Sequence, residues 1–193
     1  MTTTAYKASG TQGGTAAGIT SIALSDDVRS SHNTAGTVIA TNFTFGLPAG
    51  ATIDGVEVNV ESSAVSGQWT QTVQLYDTVP IGTTESTAAI SSTVDAVRAY
   101  GGAAVLWGAT LTPAIVNSST FGVQVTATRE SGNGGTRFGV DFIEMRINYT
   151  FTPPAGRTYV RVGGSMVPKT TNVRIGGTQV SKTLKVRVSG VFI

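Results

Sequence analysis

The chain has 193 residues, enough for one sizeable domain with an appendage. Only 12% of the residues are charged, against roughly 25% in an ordinary soluble domain. The polar surface must therefore consist mainly of uncharged side chains, which lose little when a partner covers them. This favours a subunit with large protein contacts over a free monomer. The absence of cysteine excludes disulfides and thiolate metal sites.

The charged residues are divided unevenly along the chain. Residues 1–156 contain six basic and eleven acidic residues, a net charge of −5, and residues 157–193 contain seven basic and no acidic ones, a net charge of +7. A segment this basic can contact an acidic protein surface or nucleic acid. We favour the protein partner, because the segment alternates charge with Val and Ile as a sheet does and offers only Tyr159 and Phe192 for base stacking.

Residues 1–19 are rich in Thr, Ala and Gly and contain little that could be buried. We therefore predict an extended N-terminal arm that a neighbouring subunit holds in place. The stretch from Met1 to Lys7 lacks the apolar core of a signal peptide, and no apolar run reaches the ~18–20 residues of a membrane span. We expect synthesis in a cytoplasm, with no cleaved signal and no membrane span.

Residues 20–152 have the pattern of a β domain. The segments Ile53–Val60, Trp69–Tyr76 and Phe121–Val125 each alternate apolar with polar residues, as half-buried strands do. The segment Thr112–Val116 begins with an N-cap residue and Pro at the first helical position, which predicts a one-turn helix. Several short strands with turn signals and no long helical pattern predict an all-β fold, an antiparallel, jelly-roll-like β-sandwich.

The last strand of this body, Phe138 to Thr150, carries apolar residues on both faces. Phe138, Val140 and Phe142 share one face, and the apolar residues from Ile143 onward share the other. Either a β-bulge switches the faces or both faces are covered. The Gly-rich stretch Ser131–Gly135 before this strand predicts a hairpin-type turn.

A Pro-rich linker at 153–156 leads into a segment, 157–193, that repeats itself. Val-Arg-Val-Gly-Gly at 160–164 returns as Val-Arg-Ile-Gly-Gly at 173–177 and as Val-Arg-Val-Ser-Gly at 186–190, a step of 13 residues each time. One repeat is too short to bury a core, but stacked repeats or repeats from neighbouring chains can share one. We predict successive short β-hairpins that turn at the glycines.

Alternation along these repeats predicts an apolar face and a polar face. The apolar face would be the oligomer interface, formed by Val160, Val162, Val173, Ile175, Val186, Val188 and Phe192. Arg161, Arg174 and Arg187 would form a polar ladder on the other face. We predict that identical segments pair around a symmetry axis, with a threefold axis preferred, so that the chain is a homo-oligomer.

Four segments occur in a distinctive order: Ala49–Val58, Leu106–Gly108, Thr120–Val123 and Val140–Tyr149. Together with the Val-Arg-Val-Gly-Gly repeats, they resemble the β-sandwich domain and C-terminal repeats of tailed-bacteriophage virion proteins. The resemblance covers about residues 35–193. It implies a virion structural protein, made in the host cytoplasm, of the minor tail, fibre-like or capsid decoration type.

The repeats depart from this family at one position. The residue after Gly-Gly-Xaa is usually Trp in the family, whereas this chain has Met166, Gln179 and Phe192 there. The packing between repeats is therefore expected to differ from that of the family.

The sequence offers little for catalysis. Its only histidine is His32, and it has neither a Gly-Xaa-Ser-Xaa-Gly elbow nor a cysteine nucleophile. The carboxylate pairs that could cleave a glycan are Asp26 with Asp27, Asp54 with Glu57, and Asp141 with Glu144. Acids in so Thr-rich a chain are more often turn caps and solvated residues, and the spaced acids of an EF-hand loop are absent. We predict no catalytic residue, no metal site and no cofactor.

Aromatic side chains provide the remaining candidate site. Trp69 and Trp107 would form a ligand platform for a glycan if their rings were exposed, although such rings are more often core, and Tyr76 is a further candidate. We expect a non-enzymatic structural component of a virion, associated with the tail. The alternatives are a decoration protein on the head and a module that binds a glycan or a host receptor.

Overall fold

The structure, a computed structural model, describes residues 1–31, 36–132 and 137–153, together with the backbone of short strands between 158 and 192. The chain divides into two compact units, Met1–Thr152 and Pro153–Ile193. The strands of the first unit are, in chain order, β1 (Thr2–Thr3), β2 (Lys7–Ala8), β3 (Thr11–Gly14), β4 (Gly36–Thr41), β5 (Thr52–Ala64), β6 (Gln68–Asp77), β7 (Val79–Ser86), β8 (Ala96–Gly101), β9 (Phe121–Ser131) and β10 (Phe138–Thr150).

Two short helices accompany the strands. A 3₁₀ helix spans Ile19–Ala23, and an α-helix of one turn, α1, spans Pro113–Val116. The Thr112 hydroxyl accepts a hydrogen bond from the backbone N–H of Ile115 at 3.3 Å, so the predicted N-cap is confirmed.

The strands form two five-stranded antiparallel sheets. The first sheet has the order β1-β10-β5-β8, with β2 also paired to β10, and the second has the order β3-β4-β9-β6-β7. The apolar faces of the two sheets pack against each other, which confirms the predicted antiparallel β-sandwich. The strands β9 and β10 belong to different sheets and so do not pair as a hairpin, and residues 133–135 of the predicted turn lie outside the described residues.

The core consists of inward-facing residues at every second position. Its largest fully buried apolar side chains are Trp69, Trp107, Phe43, Phe121, Phe138, Ile22, Leu75, Ile143, Met145, Ile147 and Val38. Burial on this scale supplies the main stabilising free energy in a domain without disulfides.

Of the two explanations offered for the apolar residues on both faces of β10, the β-bulge is the one that the structure shows. Opposite Glu61 and Ser62 of β5, the register shifts between Val140 and Phe142, so that Asp141 is the extra residue. The bulge lets Val140 and Ile143 face the core from the same side, although they are three positions apart. Phe142 is then only half-buried.

The N-terminal segment differs from the predicted arm. Its strands pair with sheets of the same chain: β1 and β2 lie along β10, and β3 lies along β4. The scarcity of apolar side chains in this segment does not reveal its pairing. The segment is held mainly by backbone hydrogen bonds to open sheet edges. Residues 1–19 are thus built into the sandwich of their own chain.

Three β-hairpins are described in the second unit. The described strands are β11 (Thr158–Val162) with β12 (Ser165–Lys169), β13 (Arg174–Ile175) with β14 (Thr178–Gln179), and β15 (Arg187–Val188) with β16 (Val191–Phe192). Two residues separate the strands of each hairpin, at the predicted turn positions, which themselves lie outside the described residues. The predicted linker at 153–156 also lies almost entirely outside them.

Candidate functional site

The three hairpins of the C-terminal unit share one register. Arg161 is paired with Met166, Arg174 with Gln179, and Arg187 with Phe192. In each hairpin the arginine therefore opposes the same position of the sequence repeat. The 13-residue step of the sequence thus corresponds to a repeated backbone unit.

The predicted interface residues are distributed over these hairpins. Val160 and Val162 lie in β11, Ile175 in β13, Val188 in β15 and Phe192 in β16. Val173 and Val186 fall outside the described residues. The assignment of these residues to an oligomer interface, and of the three arginines to a polar ladder, stays a prediction.

Trp69 and Trp107 do not form a ligand platform. Their exposed fractions are 0% and 2%, and each indole N–H donates inside the protein, Trp69 to the carbonyl of Ser66 at 2.9 Å and Trp107 to that of Val56 at 3.0 Å. The Trp69 ring also packs on Phe138, with ring centroids 5.7 Å apart. Both rings lie in the core, so neither is accessible to a ligand.

Tyr76, the third aromatic candidate, lies at an open cavity of about 440 Å³. In the register of the second sheet, Gly122 of β9 lies between Thr41 of β4 and Tyr76 of β6. An added Cβ at Gly122 would overlap the backbone of Ala40 and Thr41, so only glycine fits between these two neighbours. Cavity-lining residues are Thr11, Gln12, Gly13, Ile39, Thr41, Tyr76, Thr78, Ser119 and Thr120.

The lining of this cavity is uncharged and rich in hydroxyl groups, and local hydrogen bonds hold it in place. The Tyr76 hydroxyl donates to the carbonyl of Thr78 at 2.7 Å, and the Thr120 hydroxyl donates to Asp77 at 2.6 Å. Such a surface can exchange hydrogen bonds with a neutral polar ligand, with the half-buried tyrosine ring as a flat apolar contact.

A second polar cluster lies at the β10 bulge, where Asp27, Asp95 and Asp141 each place a carboxylate oxygen within 4.8 Å of the others. Asp27 precedes β4, Asp95 immediately precedes β8, and Asp141 is the bulged residue. Ser30 fixes the first of these segments against the bulge, because its backbone N–H donates to the carbonyl of Val140 at 2.8 Å.

Arg29 joins this cluster from the side of Asp95. Its Nε donates to the two carboxylate oxygens of Asp95 at 3.0 and 2.7 Å, and its terminal nitrogen forms an ion pair with the same carboxylate. The same terminal nitrogen lies 3.4 Å from Asp27. The arginine stem crosses Gly139, where an added Cβ would lie 2.8 Å from Cδ of Arg29.

The carboxyl groups of Asp141 and Asp95 titrate differently. Burial raises the pKa of Asp141, and the charges of Glu61 and Asp95 add to this. Burial also acts on Asp95, but the Arg29 guanidinium and the Ser63 hydroxyl hold the pKa of that carboxyl below its usual range. Ser63 nevertheless makes no hydrogen bond of ordinary geometry among the described residues, although it is fully buried.

The acids of the other candidate pairs have hydrogen-bond partners within the first unit. Asp54 accepts a hydrogen bond from Thr150 at 2.7 Å, and Glu57 pairs with Arg146 at 2.7 Å. Glu144 accepts from Asn59 at 2.9 Å, whereas Asp141 belongs to the bulge cluster. His32 lies outside the described residues. Asp95 was missed in the sequence because its neighbours carry no recognisable pattern, and only the long-range pairing of the strands brings it to Asp27 and Asp141.

We compared the chain with protein families, curated proteins and solved structures. The sequence matches no protein-family model and no curated protein. Among solved structures, one similar chain is that of TmCBM61 in complex with beta-1,4-galactotriose, with 13% sequence identity, a TM-score of 0.32, and coverage of 73% of this chain and 87% of that one. A TM-score this low carries no argument about the function of this chain. Among the described residues, no helix has the length and hydropathy needed to cross a membrane.

Proposed function

We propose that the chain is a non-enzymatic structural subunit of a bacteriophage particle and that it assembles through its C-terminal β-hairpins. The observation that carries this proposal is the set of three hairpins with a common register and a 13-residue step. A two-stranded hairpin is marginally stable in water by itself, so hairpins of two to five residues per strand need a further surface to pack on. Identical hairpins of neighbouring chains provide that surface without any additional protein.

The charge of the same segment supports assembly through it. Residues 157–193 carry a net charge of +7 and residues 1–156 one of −5. Unlike charges on the two parts of the chain favour head-to-tail contacts between subunits, or contacts with an acidic neighbour in a particle. The N-terminal strands are left out of the proposed assembly, because they pair with sheets of their own chain.

The placement in a particle rests on the sequence resemblance to tailed-phage virion proteins. We place the subunit at the tail, as a minor tail or fibre-like component, with decoration of the head as the alternative. An antibody raised against residues 1–152 and applied to purified particles should label the tail in a few copies. Labelling of the whole shell would support the head alternative, and a protein absent from particles would contradict the virion proposal.

The role of the hairpins can be tested by two matched triple variants. Replacing Val162, Ile175 and Val188 by Thr keeps a β-branched side chain but puts a hydroxyl in place of an alkyl group at each apolar position, and should convert the oligomer to monomer. Replacing Arg161, Arg174 and Arg187 by Gln should leave the oligomer intact at physiological salt, since exposed charges contribute little to affinity. Sedimentation velocity measures both. If the Gln variant dissociated and the Thr variant stayed oligomeric, the arginine face rather than the apolar face would be the oligomer interface.

A second candidate function is binding of a neutral glycan in the cavity beside Tyr76, favoured by its uncharged, hydroxyl-rich lining. Tyr76→Ala should then reduce affinity for the bound oligosaccharide at least tenfold, because it removes the one aromatic ring of the lining. The matched control is Tyr6→Ala, because Tyr6 is not among the cavity-lining residues and its ring stacks on Arg146. A panel of neutral oligosaccharides in isothermal titration calorimetry provides the measurement. No binding by the wild-type chain, or equal binding by the Tyr76 variant, would exclude the cavity as a glycan site.

A further inference from the structure

The cluster at the β10 bulge leaves a buried carboxylate poorly satisfied. Asp141 is only 1% exposed, and its Oδ2 accepts one hydrogen bond, from the backbone N–H of Asp27 at 3.2 Å. Its Oδ1 is buried and has no hydrogen-bond partner among the described residues. An ionised carboxylate in this position is costly unless a cation or further donors compensate it.

A second group in the same place is also unsatisfied. The Ser63 hydroxyl, on β5 beside the bulge, is fully buried without a hydrogen bond of ordinary geometry among the described residues. It is close enough to Asp95 to lower the pKa of that carboxyl. The buried hydroxyl oxygen of Ser63 and the unpartnered oxygen of Asp141, next to two further carboxylates, are the kind of ligands that a hard cation binds.

The charge of the cluster fits a divalent ion. Three carboxylates and the guanidinium of Arg29 leave a net charge of −2. Arg29 neutralises Asp95 and approaches Asp27, but the contacts of its guanidinium do not include Asp141. The two oxygens of Asp95 offer about four lone-pair positions, so Asp95 can accept from Arg29 and still bind an ion.

The oxygen ligands of this cluster favour calcium over magnesium. All of them are oxygen atoms, which suit either ion. Ca²⁺ tolerates irregular geometry, whereas Mg²⁺ requires a near-ideal octahedron. The three carboxylates, whose oxygens lie within 4.8 Å of one another, come from separate parts of the chain, and such an irregular set suits Ca²⁺ better.

We propose that Asp27, Asp95 and Asp141, with the Ser63 hydroxyl, form a binding site for Ca²⁺. The ion joins three parts of the chain that are distant in sequence: the segment before β4, the start of β8 and the bulge of β10. Its role is structural, because it compensates the buried charge of Asp141 and fixes the segment before β4 on the first sheet. This site is independent of the proposed virion role and of the cavity beside Tyr76.

The test uses the full chain, freed of metal with a chelator and titrated with Ca²⁺ alone. The melting temperature of the wild-type chain should rise by about 5–10 °C at a Ca²⁺ concentration a hundred times the dissociation constant. Asp141→Asn and Asp27→Asn should each lower the affinity measured by calorimetry at least tenfold. Because Asp27 is exposed, Asp27→Asn should fold normally, so a loss of affinity in this variant reports on the ion site itself.

The matched control is Asp54→Asn, at the far end of the same β5–β10 pair, where the carboxylate accepts a hydrogen bond from Thr150. This variant should keep the wild-type affinity and the wild-type rise in melting temperature. Mg²⁺ should bind at least tenfold more weakly than Ca²⁺. A wild-type chain that takes up no Ca²⁺, or Asp27 and Asp141 variants that bind as tightly as the control, would overturn the proposal.

Discussion

At the scale of single residues, the two sheets are joined by a buried chain of hydrogen bonds as well as by apolar contacts. The Ser62 hydroxyl of the first sheet donates to Oε1 of Gln71 in the second at 2.7 Å, and Nε2 of Gln71 donates to the Tyr100 hydroxyl at 2.5 Å. Arg98 donates to Ser62 from the outer side at 2.9 Å. Each member depends on the next, so the loss of one leaves a buried polar group without a partner.

Tyr100 makes this network sensitive to alkaline pH. Burial raises the pKa of its hydroxyl from 10.0 to about 12. Between these values the unfolded chain loses the phenol proton while the folded chain keeps it. The free energy of unfolding should therefore be unaffected by this group below pH 10 and fall by about 1.4 kcal/mol per pH unit above it, until the folded pKa is reached.

Tyr100→Phe isolates this contribution. The variant should be roughly 1–3 kcal/mol less stable at pH 8, because Nε2 of Gln71 loses its acceptor. Its stability should also fall less steeply than that of the wild type between pH 10 and 12, since the titrating hydroxyl is gone. Urea unfolding at several pH values measures both effects. Parallel curves for the two proteins over this range would contradict the assignment.

At the scale of secondary-structure elements, β10 connects most of the first unit. It pairs with β5 along one edge and with β1 and β2 along the other, and its bulge places Asp141 in the carboxylate cluster. The N-terminal segment is held by the backbone N–H of Thr4, which donates to Ile147 at 2.9 Å, and by Tyr6, whose ring lies 4.4 Å from the guanidinium carbon of Arg146. It covers an edge that would otherwise be open to strand pairing.

Deletion of residues 2–8 tests this covering role. The shortened chain should unfold at a lower urea concentration, by roughly 0.5–1.5 kcal/mol for each net hydrogen bond lost along β10. It should also aggregate more readily, because the edge of β10 is exposed. Lys7→Gln, which leaves the strands in place, serves as the control and should have a nearly wild-type midpoint. An unchanged midpoint in the deletion variant would show that the segment contributes nothing to the stability of the sandwich.

The sequence predicts those elements whose signal is local. Apolar alternation in β5, β6 and β9 predicts the strands, and the apolar residues on both faces of β10 indicate either a bulge or a second covered face. The N-terminal strands have no such local signal, because they are attached by backbone hydrogen bonds and every sequence has backbone donors and acceptors. Asp95 and Ser63 escape prediction too, since their proximity to Asp141 depends on which strands pair. The position of Tyr76 at a cavity beside Thr11 and Thr41 escapes prediction for the same reason.

At the scale of the whole molecule, the chain combines a sandwich that forms its own core with a segment of small repeated hairpins. The first unit contains its own apolar core, and the described strands of the second have two to five residues. We infer that the first can fold alone and that the second reaches full stability in contact with other copies. The assembly proposal follows from this contrast, and both the tail and the head placement depend on it.

The most direct test compares the full chain with a chain that ends at Gly156. Light scattering during gel filtration measures the molar mass of each, and circular dichroism checks that the sandwich remains folded. We predict the molar mass of a trimer for the full protein and that of a monomer for the shortened, folded protein. A full chain that is monomeric, or a shortened chain that remains trimeric, would contradict assembly through the C-terminal hairpins.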